Sequence, residues 1–147
     1  MTSIMSKFGN NETINNIFGK RISTNEKTDM FLINNYRKFV SNIKCWKENR
    51  IVDKERISKI YESISKGNDF PQTVLYISEI SKNEYYLWDG QHRFKAIEKC
   101  CTLNDNLSFL NNLFYCIVYK NDTIESMRRK FININKEVPV PDFYLNE

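Results

Sequence analysis

Apolar residues between Asp53 and Gly67 recur at helical spacing, with Ile57, Ile60, Tyr61 and Ile64 at i, i+3, i+4 and i+7. Asp53 suits an N-cap, Val52 before it is placed to staple onto Ile57, and Gly67 supplies a stop. After Pro71 the period changes. Thr73 to Ile80 is rich in β-branched and aromatic residues, Ser81 to Asn83 form a turn, and Glu84 to Trp88 return as a hairpin partner. A second amphipathic helix follows, with Phe94, Ile97 and Cys101 on one stripe, Ala96 and Cys100 on its flank, and fraying near Thr102. Asn104 to Asn112 read as a loop with Leu107, Phe109 and Leu110 tucked against the core, and Leu113 to Tyr119 as an apolar strand. A last helix opens at Asp122, takes Glu125 as its capping-box partner and buries Ile124, Met127, Phe131 and Ile134. Pro139 and Pro141 then end regular structure.

Two stretches are less determined. From Met30 to Trp46, Phe31, Leu32, Tyr36, Phe39, Val40 and Ile43 could line a helix, while Lys38 to Ile43 could equally be a first strand. Residues 1–30 are polar and rich in Asn, Ser and Thr, with Ile14, Ile17 and Phe18 enough for one docking turn. The division that follows is a loosely ordered extension over 1–30 and one domain over 31–147. The order of elements predicts an α+β fold, a small mixed β-sheet with flanking helices. At 147 residues the chain can bury a core, and a 41% hydrophobic and 14% aromatic content excludes general disorder.

A net charge of +4 permits contact with nucleic acid without requiring it. Four cysteines without a CxxC and a single histidine exclude a Cys/His zinc cluster, and Cys100 and Cys101 read as reduced, partly buried helix residues. The N-terminus lacks the apolar region of a secretory signal, and no apolar run approaches a membrane span. The expectation is an intracellular, reducing compartment and no membrane partner.

The chemistry concentrates between Tyr85 and Cys101, YYLWDGQHRFKAIEKCC. A short buried strand runs into Asp89 and Gly90, and the helix begins with Gln91, His92 and Arg93. Asp89 is a good N-cap, and Gly90 allows a sharp turn or a close approach to a ligand. A helix start favours an anion, so an amide, an imidazole and a guanidinium placed there point to phosphate. Arg93 would hold phosphate oxygens in a fork, and His92 would donate a hydrogen bond or shuttle a proton. The plain alternative is a capped turn with Arg93 solvated and His92 on the surface.

The string DGQHR followed by Phe94, Lys95 and Ala96 resembles the ParB/sulfiredoxin superfamily, in the branch named for its DGQHR motif. The resemblance extends from Glu48 to Asn135 and includes the upstream helix with its Ser63-Ile64 pair and the strand led by Pro71. It implies a strand before that upstream helix, and a helix that runs alongside a nucleotide with Arg56 and Ser63 facing it. Lys59 departs from the family's pattern. It also implies a second box in the FININ string, Phe131 to Asn135, where Asn135 is either a pocket residue or a helix C-terminal cap.

The family's activities divide on single residues. Sulfiredoxins attack with a Cys directly before the His-Arg pair, and Gln91 stands there instead, so that repair chemistry is not expected. ParB proteins bind CTP with Mg²⁺ and close as DNA clamps through further segments for which 147 residues leave no room. A free-serine kinase of the family uses an acidic general base, a role open to Asp89 if it does not simply cap the helix, with Glu55 a second acid. Some ParB-like domains are called nucleases, but Asp89 and Glu55 make a thin set for holding metal, and no metal ligand is assigned.

The resemblance therefore implies a nucleoside-triphosphate-binding domain whose phosphates lie on Gly90, Gln91, His92 and Arg93. Arg56, Ser63 and Asn135 would complete the pocket, and Mg²⁺ would accompany the triphosphate. Hydrolysis or phosphoryl transfer would draw on Asp89 and His92. The alternative from another class is a non-catalytic DNA-binding or nuclease-like accessory module, alone or beside a DNA-binding partner protein.

Overall fold

The computed structural model of this chain describes residues 17–47, 51–67 and 70–137, with side chains as far as Ile134. Strand β1 (Lys20–Thr24) pairs antiparallel with β2 (Thr28–Leu32), and β2 pairs antiparallel with β6 (Phe114–Tyr119). β6 lies parallel to β4 (Thr73–Ser81), which returns through Lys82 and Asn83 as the antiparallel β5 (Glu84–Asp89). Asn83 takes the left-handed conformation (φ 64°) that a tight hairpin needs and asparagine tolerates. The two-residue β3 (Lys44–Cys45) pairs parallel with β5 at the far edge, giving one six-stranded mixed sheet in the order β1-β2-β6-β4-β5-β3. The fold is α+β, as its periodicities predict.

Three helices cover one face: α1 (Tyr36–Asn42), α2 (Lys54–Ser65) and α3 (Gln91–Leu103). Tyr36, Phe39, Ile64, Phe94, Ile97 and Cys100 meet Leu75, Ile77, Leu87 and Phe114 from the strands in the main core. The stripe on α2 is as expected: Ile64 is buried, with Ile57, Ile60 and Tyr61 packed around it. Asp53 caps α2 by accepting the Arg56 N–H at 3.1 Å, and Gly67 (φ 68°) ends it with its N–H on the Ile64 carbonyl. Leu110 is buried in a 3-10 turn, with Leu107 and Phe109 against the same core.

Among the described residues a single helix, α4 (Ile124–Glu137), lies on the opposite face. Met127, Phe131 and Ile134 pack there on Trp46, Trp88, Tyr76 and Tyr119.

The structure decides one open alternative and corrects three expectations. Of helix and strand over Lys38 to Ile43 it has the helix, α1, because Asn35 caps it through the Lys38 N–H and Tyr36 and Phe39 bury on one side; the strand before α2 is only Lys44 and Cys45. The sheet reaches into the segment assigned to the N-terminal extension, since the buried Phe18, all of β1 and the first three residues of β2 precede residue 31, while residues 1–16 lie outside the described ones. At the start of α4 the Thr123 hydroxyl, not Asp122, accepts the Ser126 N–H (3.0 Å), while Glu125 pairs with Arg129 and Ile124 stays exposed. Finally, Asp89 does not cap α3. It is the last residue of β5, and the N-cap is Gly90, with no side-chain capping bond.

Candidate functional site

The junction of β5 and α3 is shaped by one glycine. Gly90 stands at φ 93°, in the left-handed region, and its carbonyl accepts the first helical bond from the Phe94 N–H at 2.8 Å. A Cβ on Gly90 would fall 2.5 Å from Cδ2 of the fully buried Leu75, so that side chain would have to shift within the core. The start of α3 is therefore bare backbone, followed at once by the half-buried Gln91, His92 and Arg93.

A second helix start lies against it. The Asp53 N–H donates to Nε2 of His92 at 3.0 Å, joining the cap of α2 to the first turn of α3. Further along, Lys99 Nζ donates to the Ser58 hydroxyl and sits over the Tyr61 ring, and Asn104 Nδ2 donates to the Tyr61 hydroxyl, the two bonds both at 3.2 Å. Contacts that advance in the same direction on both helices mean that α2 and α3 run parallel, side by side. Each helix start carries roughly half a positive charge; that of α2 already holds the Asp53 carboxylate as its cap, whereas that of α3 has no capping side chain on Gly90. Arg56, in the first turn of α2, and Arg93, in the first turn of α3, are both half-buried at that end.

Other expected site residues fall elsewhere. Ser63 lies ten positions along α2 from Asp53, about 15 Å at the helical rise, and does not share the place where Gly90 and His92 meet Asp53. Glu55 is exposed and paired with Lys59 at 3.5 Å, on a solvated helix face. Asn135 belongs to α4, but its side chain lies outside the described residues. Asp89 lies opposite Tyr76 where the β4–β5 register shifts, and it is half-buried three positions before His92.

The His92 contact alters what that ring can do. Because Nε2 accepts the Asp53 N–H, the neutral ring carries its proton on Nδ1, and Nε2 is not at hand to take a proton from a substrate. Thiol chemistry has no footing either. Burial pushes Cys45 and Cys100 up to about 11 and raises Cys101 and Cys116, which keeps these unpaired thiols protonated at neutral pH. Among the described residues no three His, Cys, Asp or Glu side chains come together to hold a metal ion, so a metal cage built by the protein does not fit them. No helix among them is long and apolar enough to cross a membrane.

The residue that sequence reading missed is Asp53 as a partner of His92. The two are 39 positions apart, and a backbone N–H leaves no trace in composition or periodicity. No protein-family model matches this chain, and no curated protein matches it.

Proposed function

We propose that this chain is a nucleoside-triphosphate-binding domain of the ParB/sulfiredoxin kind. Its phosphates would rest on the backbone at Gly90, Gln91 and His92, with Arg93 and Arg56 neutralising their charge from two sides. The observation that carries this reading is the junction of two parallel helix starts, joined by a 3.0 Å hydrogen bond from the Asp53 N–H to His92, beside a glycine whose left-handed turn brings any added Cβ against Leu75. Parallel neighbouring helices place like dipole ends together, and an anion at that end offsets the repulsion.

Mg²⁺ would arrive already bound to the triphosphate and take its remaining oxygens from phosphate and water, as this ion does when no protein cage is present. In any turnover Asp89 would be the candidate proton acceptor, because Nε2 of His92 already accepts the Asp53 N–H.

A thermal-unfolding panel with ATP, CTP, GTP and UTP, each with and without Mg²⁺, tests this. A triphosphate at one hundred times its dissociation constant adds about 2.7 kcal/mol of stability. Arg93→Ala is expected to fold normally, since its side chain is only half-buried, and to lose that stabilisation. If none of the four stabilises the native chain, the DNA-binding accessory module takes its place, and its affinity for DNA should fall steeply with salt.

A further inference from the structure

We infer that His92 is a positioning residue, a neutral-imidazole latch that holds the cap of α2 on the first turn of α3. The bond is specific in its chemistry. A main-chain N–H at the very start of a helix has no carbonyl of its own helix to serve as partner, and the Asp53 N–H finds Nε2 of His92 at 3.0 Å. The Asp53 carboxylate meanwhile turns inward to its own helix and accepts from the Arg56 N–H at 3.1 Å. Both functions of Asp53 therefore serve the helix junction, and His92 is the side chain that reaches across it.

The latch has a defined failure. Protonation turns Nε2 from an acceptor into a donor, and two donors then face each other across the junction. The charged groups of the elements that meet there are Asp53, Lys54, Glu55 and Arg56 at the start of α2, Asp89 at the end of β5, and Arg93 beside His92. Release would separate the first turn of α2, with Arg56, from the first turn of α3, with Arg93. In that respect the inference rests on the proposed phosphate site, because the spacing of the two arginines is what the latch would set.

Hydrogen exchange at the Asp53 amide, normalised to its intrinsic rate at each pH, reads the latch without any ligand. Two variants separate the possibilities: His92→Gln, whose amide oxygen can replace Nε2 as acceptor without titrating, and His92→Ala, which has none. The native chain and H92Q should protect the Asp53 amide at neutral pH, with exchange roughly fivefold faster in H92A, the worth of one ordinary hydrogen bond. Acidification through the histidine range, about pH 8 to 5, should remove protection in the native chain but not in H92Q. Equal protection in H92A, or protection in the native chain that ignores pH, would overturn the latch.

Titration of ATP·Mg²⁺ and CTP·Mg²⁺ onto the same three proteins reads its consequence. H92Q should stay within about twofold of the native affinity and H92A should lose roughly fivefold. An H92Q that keeps the Asp53 amide protected yet binds as poorly as H92A would make His92 a ligand contact and overturn the positioning role. Failure of the native chain to bind either triphosphate would defeat the phosphate-site reading alone, because the exchange measurement stands without it.

Discussion

Gly90 and His92 impose different demands although only Gln91 separates them. At Gly90 the constraint is steric: φ 93° is unfavourable for an L side chain, and the added methyl would meet Leu75 in the core. Gly90→Ala should cost about 2–3 kcal/mol in urea unfolding and displace the start of α3. Triphosphate binding should weaken in the same variant, whereas a stable G90A with native binding would mean that the turn carries no ligand. The string DGQHR marked the glycine and its neighbours plainly, because a turn between a strand and a helix is local. It misled on Asp89, which as a residue type suits a cap. Whether Asp89 or Gly90 occupies the cap depends on where β5 stops pairing with β4, and the ladder carries Asp89 opposite Tyr76. Cross-strand pairing outweighed local preference there.

Among the elements, α4 is held in a manner unlike the other helices. The Ser78 hydroxyl, fully buried on β4, donates to Oδ2 of Asp122 at 2.6 Å and accepts from the Trp88 indole N–H at 3.0 Å. Lys130, two turns into α4, donates to the same Oδ2 at 2.9 Å and to the Ser126 hydroxyl at 2.8 Å, and its ammonium lies 4.5 Å from the centre of the Tyr119 ring. Every polar atom brought under the helix by these residues thus has a partner, the condition for burying them at all. Burial alone would raise the Asp122 carboxyl, but hydrogen bonds from Ser78, Lys130 and the Thr123 N–H outweigh it and hold the group below the usual carboxylate range. A folded-state value lower than the unfolded one contributes stability at neutral pH, which is lost as the pH falls through that lowered value. Asp122→Asn should therefore destabilise the native chain by about 2 kcal/mol at pH 7, with the difference closing below about pH 4. A gap that stayed constant to pH 3 would show that the charge contributes nothing. The spacing of Met127, Phe131 and Ile134 at i, i+4 and i+7 announced α4, but nothing local could assign Asp122 to Ser78, 44 positions earlier.

For the whole molecule, the sheet order determines where the domain begins. β2 lies between β1 and β6, and Phe31 on β2 stacks on Phe18 at 5.2 Å, while Phe18 meets Tyr85 of β5 edge-on at 5.0 Å. A chain shortened to begin at Phe31 would lose Phe18, all of β1 and most of β2, and would expose the long edge of β6. Burial of a phenylalanine alone contributes about 2–3 kcal/mol, so this shortened chain is expected to lack a cooperative thermal transition and native amide dispersion. A cooperative transition would place the boundary at residue 31 after all. The polar composition of residues 1–30 concealed this because an edge hairpin has a solvated side: four of the five residues of β1 are exposed. What the sequence by itself determined are the features that depend on near neighbours: the stripes of α2, α3 and α4, the β4–β5 hairpin, the glycine turn, and hence the α+β class. Only the tertiary structure decided which strands adjoin, that α2 and α3 run parallel, and that His92 meets the Asp53 amide. Periodicity records which side of an element avoids water, but not which distant backbone group will be waiting there once the sheet has closed.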